Sequence, residues 1–182
     1  SLLDRPKLPR KLEKLFRTGR VFPSLIQVNL GFDRTFPEPL KRCFVFDTGF
    51  DYGGNDTLRS MKAIFHGKES GFAPEGKTAC VVYLRTPDYE YWNTMRKANY
   101  AKYAEKKKSV VDFVIDRLEH HYGALCECVS CIDCATPATF IRYTGIWKGS
   151  YQGWAPVPGV IGSQLPKMFP GLSGMYLAGQ WV

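Results

Sequence analysis

No apolar run in the sequence approaches the ~20 residues that a membrane-spanning helix requires, and no secretory leader opens it. It also lacks a G-x-G-x-x-G following a strand, and so the pyrophosphate cradle of a dinucleotide fold. H-E-x-x-H and G-x-S-x-G are missing too; Gly149-Ser150 and Gly153 come near the last, with the wrong spacing. The string G-x-x-x-x-G-K-T does occur, at residues 71–78 (GFAPEGKT), but it leads into the strand read at 78–84 and not into the helix that a phosphate-binding loop opens. Histidine is scarce, and His66, His120 and His121 read as surface or cap residues. No standalone catalytic constellation remains.

A chain of 182 residues fits a single domain, with roughly two-thirds of its unfolded surface buried on folding. The net charge of +8 points to an acidic partner surface. Nucleic acid is set aside because no DNA- or RNA-binding motif accompanies the charge. An anionic membrane surface and plainly solvated lysines both stay open. Six cysteines without a secretory signal imply reduced thiols and a cytoplasmic setting, at most peripheral to a membrane. Cys43 and Cys80 lie in apolar runs and read as small core residues.

Leu8, Leu12, Leu15 and Phe16 repeat at helical spacing until Gly19, in a basic entry segment that includes Arg5 and Lys7. Residues 25–30 alternate as a half-buried strand, with Ile26, Val28 and Leu30 against Gln27 and Asn29. Residues 42–47 are apolar on both faces and predict a central strand. Asp56 predicts the cap of a helix holding Leu58, Met61, Ile64 and Phe65. Residues 78–84 (TACVVYL) are the clearest strand. Thr86-Pro87-Asp88 predicts a helix start, with Thr capping, Pro in the first turn and Asp favouring the dipole. Trp92, Met95, Asn99, Tyr100 and Tyr103 line one helical face, and Val111, Val114, Ile115 and Leu118 another, stopped by Gly123. Between them Arg96, Lys97, Lys102, Lys106, Lys107 and Lys108 oppose only Glu105. Strands and helices mix without βαβ alternation, so the class is α+β.

The segment from Thr136 to Val182 carries an ordered set of motifs. Thr136-Pro137 opens a short helix, followed by Arg142-Tyr143-Thr144-Gly145, Gly149-Ser150 and Gly153-Trp154. Leu165-Pro166-Lys167, Pro170-Gly171-Leu172 and residues 175–181 (MYLAGQW) complete it. Residues 175–178 read as a buried strand after the Pro170-Gly171 turn. In that order the set resembles the C-terminal part of the FAD-dependent phytoene desaturase and carotenoid isomerase-like oxidoreductases of the flavin amine-oxidase superfamily. Weaker similarity runs through Pro23-Ser24, Leu30-Gly31, residues 73–77 and the helix from Trp92 to Tyr103.

The resemblance implies a mixed sheet backed by helices, forming a substrate domain beside a flavin-binding domain. On it, residues 1–182 are one substrate-binding domain excised from a larger protein, and residues 174–182 begin the returning flavin-binding segment. The nucleotide-binding half would lie elsewhere in the same polypeptide, so the isolated piece is expected to be inactive and to hold no FAD by itself. Gly179, Gln180 and Trp181 would border the cofactor; the alternative is that Gly179 ends a core strand and Trp181 packs inward. Tyr143, Trp147, Tyr151 and Trp154, set among glycines, would wall a long hydrocarbon substrate; the alternative is an aromatic core under a long loop. Because the cofactor accepts the hydride, the resemblance assigns no catalytic side chain.

Cys126, Cys128, Cys131 and Cys134 carry the rival reading, a non-enzymatic metal-binding interaction module. Their C-x-C-x-x-C-x-x-C spacing matches neither a zinc ribbon nor a ferredoxin run. The resemblance places a strand there, and on a strand Cys126 and Cys128 share a face that Cys131 does not, so metal is not expected. A third reading is a basic peripheral binding domain without chemistry.

Overall fold

The computed structural model describes residues 10–36, 41–158, 160, 167–168 and 174–181. In chain order its elements are α1 (Arg10–Thr18), β1 (Ser24–Phe32), β2 (Lys41–Asp51), β3 (Thr57–His66), β4 (Thr78–Thr86), α2 (Tyr89–Ala98), α3 (Tyr100–Tyr122), β5 (Val129–Ala135) and α4 (Pro137–Thr144). The chain divides into two compact units: Pro23–Gly149, which holds the sheet, and Ser1–Phe22 with Ser150–Val182.

The class is α+β, as the mixture of periods predicts. The sheet order is β2-β3-β4-β1-β5. Every pairing is antiparallel, where the resemblance implied a mixed sheet. Alternation in β1 and β4 sets the register: Ile26 meets Leu84, Val28 meets Val82 and Leu30 meets Cys80. A one-residue slip would turn these buried side chains to the opposite face, which is why the register is strongly specified. Helices α2, α3 and α4 contribute Trp92, Met95, Tyr103, Val110, Val111, Val114, Leu118 and Ala138 to the same core. Spacings of three and four along α3 keep its apolar residues on that side, and Gly123 ends it. At the entry to α4, the Thr136 N–H donates to Thr139 Oγ1 at 3.1 Å. The Thr136 hydroxyl lies 2.9 Å from the Tyr103 hydroxyl, tying α4 to α3. No helix among the described residues is long and apolar enough to cross a membrane.

Several local expectations are corrected. Residues 57–66 form strand β3, not a helix capped by Asp56. The three-residue step from Leu58 to Met61, both buried, imitates a helical period; it falls where the β2–β3 register shifts, between Val45 and Phe50 on β2. Strand β2 lies at the sheet edge rather than its centre. Cys43 is therefore exposed, not a core residue, and Val45 is 81% exposed. Thr86 is the last residue of β4, and α2 starts at Tyr89, beyond Pro87. Asn99 breaks the expected continuous helix; its Oδ1 accepts the Lys102 N–H at 3.0 Å and caps α3, while Tyr100 is exposed.

Residues 175–178 do not form a buried strand. Tyr176 makes an isolated bridge to Met168 and is 70% exposed. Leu8, Leu165-Pro166 and the Pro170-Gly171 turn lie outside the described residues.

Candidate functional site

In the unit built from both ends of the chain, residues 20–22 pair with 153–155. The Phe22 N–H donates to the Gly153 carbonyl and the Ala155 N–H to the Arg20 carbonyl, each at 2.9 Å, and Val21 bridges Trp154. This pairing sets Trp154 between two rings. Phe16 of α1 meets it edge-on at 5.2 Å and Trp181 does so at 5.2 Å. The Trp154 indole N–H donates to the Trp181 carbonyl at 3.1 Å. Tyr151 packs edge-on to Phe22 at 5.7 Å.

Gly153 has φ +74°, and a Cβ there would run into the Gln180 carbonyl. Gln180 donates from Nε2 to the Ser150 carbonyl at 3.3 Å. The structure thus gathers Tyr151, Trp154, Gln180 and Trp181, which the sequence singled out for two different roles. Gly179 (φ +109°) has open space where a Cβ would project, a surface that a flat ring can approach closely. Gln180 and Trp181 make contacts within the unit, whereas no described atom beyond its chain neighbours lies within 4 Å of the place where a Cβ of Gly179 would project.

Tyr143 and Trp147 belong to the sheet unit. Tyr143 projects from α4, 74% exposed, with the Arg142 guanidinium 5.2 Å from its ring. Trp147 lies in a 3-10 turn beyond α4, with the Lys148 ammonium 4.6 Å from its ring.

The sheet unit adds a surface that motif reading overlooked. Its helices bury one face of the sheet, and Ile64, Val81 and Tyr83 point to the other. All three are half-buried. Beside them Gln27 Nε2 donates to Asn29 Oδ1 at 2.9 Å, and Asn29 Nδ2 to Asp133 Oδ2 at 3.2 Å. On this face Lys41 pairs with Ile64 and Lys62 with Tyr83, so the three apolar side chains form a short patch between these lysines and the Gln27–Asn29–Asp133 hydrogen bonds. Period-two alternation in TACVVYL was the signal available for it.

The four clustered cysteines are dispersed in depth. Cys126 and Cys128 occupy a 3-10 turn, and β5 starts only at Val129, so the strand expected through all four is shorter. Cys134 is buried and its thiol is pushed up to about 11 by that burial. The Cys126 thiol is raised by the Glu119 carboxylate beside it, which also accepts the Leu125 N–H at 2.8 Å. Among the described residues no group of three or more His, Cys, Asp or Glu side chains is placed to hold a metal ion. No protein-family model matches the chain, and no curated protein matches it either.

Proposed function

We propose that this chain is the substrate-binding portion of an FAD-dependent oxidoreductase that desaturates, isomerises or saturates a long apolar, isoprenoid-like molecule. The observation that carries the reading is the second face of the sheet. A sheet backed by helices on one side, with Ile64, Val81 and Tyr83 half-buried on the other, offers a rigid wall for hydrocarbon. The Gln27–Asn29–Asp133 border supplies fixed polar groups to orient one end of a ligand. The ordered motifs from Thr136 onward add the resemblance to carotenoid-processing flavoproteins.

In such an enzyme the flavin, when bound, supplies hydride acceptance and return. The work left to this chain is to orient the ligand and exclude water. Backbone at Gly179 would border the cofactor, while Trp154 and Trp181 hold that backbone in place. Lys97 of α2 and Lys102 of α3 are exposed and would suit an anionic membrane carrying the substrate.

Purification of the polypeptide from its whole reading frame tests this. Bound FAD, released on denaturation and present in a one-to-one ratio, is the expected result. A colourless protein that takes up no flavin on refolding with FAD overturns it.

A further inference from the structure

A cavity of about 640 Å³ opens between edge strand β2 and the last turns of α3, lined by Lys41, Arg42, Phe44, Arg117, His120 and His121 among others. No carboxylate lines it. The acidic neighbour is Asp116, whose Oδ2 lies 2.6 Å from Arg117 Nη2 and whose Oδ1 lies 3.6 Å from His120 Nδ1. Three permanent cations against one carboxylate leave a net +2 before either imidazole is counted.

The two guanidinium groups are held rather than loose. Strand pairing of Arg42 with Ala63 and of Phe44 with Met61 turns both side chains toward the helices, whereas Lys41, paired with Ile64, starts from the opposite side of the edge strand. The Phe44 ring meets His121 edge-on at 5.7 Å, and the Arg117 guanidinium lies 5.5 Å from the Phe113 ring. Among the described residues neither Lys41 nor Arg42 has an ion-pair partner. Arg42 Nε is buried, and the Arg42 side chain lies at the Tyr122 hydroxyl, which is buried as well. Lysine at a sheet edge commonly guards against pairing with another strand, and that accounts for Lys41. It does not account for two arginines set beside it with Asp116 as their acidic neighbour, a cationic excess that an anion balances.

We propose that this groove binds a phosphate group, either on a soluble phosphate compound or on a phospholipid headgroup. Arg117 Nε and Nη2 both donate to Asp116 Oδ2, so the donors left to the groove are the outer N–H groups of the two guanidinium groups and the Lys41 ammonium. Donors spread over separate side chains suit a tetrahedral anion with several acceptor oxygens better than a planar carboxylate. The inference stands on the groove's charge and geometry and is independent of the flavin reading.

Calorimetric titration of the 182-residue chain with pyrophosphate at low salt tests one source. Cosedimentation with phosphatidylcholine vesicles, with and without phosphatidic acid, tests the other. The variant Lys41→Gln/Arg117→Gln should bind roughly tenfold or more weakly, as expected for losing charge-assisted hydrogen bonds. The control Arg59→Gln/Arg85→Gln removes the same charge from exposed positions outside the groove and should bind as the parent does; circular dichroism checks that both fold. Pyrophosphate binding lost only in the groove variant identifies a soluble phosphate compound. Retention by phosphatidic-acid vesicles alone, lost in the same way, identifies a lipid headgroup. Binding to neither probe, binding that the groove variant retains, or an equal loss in the control overturns the proposal.

Discussion

The Tyr52 hydroxyl donates a 2.6 Å hydrogen bond to Asp88 Oδ2, joining the turn after β2 to the junction of β4 and α2. The same carboxylate oxygen accepts the N–H groups of Asn55 at 2.6 Å and Asp56 at 3.0 Å. Tyr52 also lies 2.8 Å from the Thr86 hydroxyl and stacks on Trp92 at 5.6 Å. The acid that the sequence offers to its own helix therefore serves a turn more than thirty residues earlier.

Removing that phenol should be felt in folding. Tyr52→Phe leaves the ring stack intact but takes a donor from a buried carboxylate, at a cost of about 1–3 kcal/mol. Urea denaturation of the variant should give a lower midpoint with an unchanged slope. A midpoint equal to the parent's would show that the bond contributes nothing net.

Two buried thiols make the fold sensitive to alkali. Burial pushes Cys80 from an ordinary value of 9.0 up to about 12, and Cys134 from 9.0 up to about 11. In the native state each keeps its proton when the unfolded chain would lose it. The stability they confer is therefore whole below pH 9.0 and falls as pH rises through the native values. Each group adds a slope of about 1.4 kcal/mol per pH unit within its window. Cys80→Ala should flatten the dependence measured between about pH 9 and 11 by one such increment. An unaltered slope would place the thiol in contact with water.

At Gly153 a methyl group would press on the Gln180 backbone, and φ is +74°. Gly153→Ala should cost roughly 1–3 kcal/mol. It should also speed exchange of the Trp154 indole proton, observed by NMR, because the Trp181 carbonyl that holds it must shift. Gly76→Ala, with φ +75° and open space around it, carries the backbone penalty alone and should leave that proton unchanged. Equal exchange rates in both variants would mean that the Gln180 contact is not tight in solution.

Local order was legible where a period repeats without interruption. Ile26, Val28 and Leu30 alternate, as do Cys80, Val82 and Leu84, and their strands formed where expected. Thr136-Pro137 and Gly123 marked a helix start and a helix stop through backbone chemistry that acts within a few residues. Residues 58–65 were misread because Leu58 and Met61 are buried three apart, as on a helix face, at the point where pairing with β2 shifts register. Of the site residues, Trp154 and Trp181 were visible as aromatic side chains among glycines, but their mutual contact was not. The groove of Arg42 and Arg117 left no motif, since its cations lie 75 positions apart on two elements.

The sequence by itself determined the α+β class, the alternating faces of β1 and β4, and the apolar side of α3, because side-chain period follows from backbone geometry alone. Tertiary structure decided that 57–66 pairs as a strand, that β2 takes the edge, and that Asp88 turns to Tyr52 instead of its own helix. Those outcomes depend on which distant segments arrive to share hydrogen bonds and burial, and a local pattern compatible with two conformations is settled only by the partner it meets.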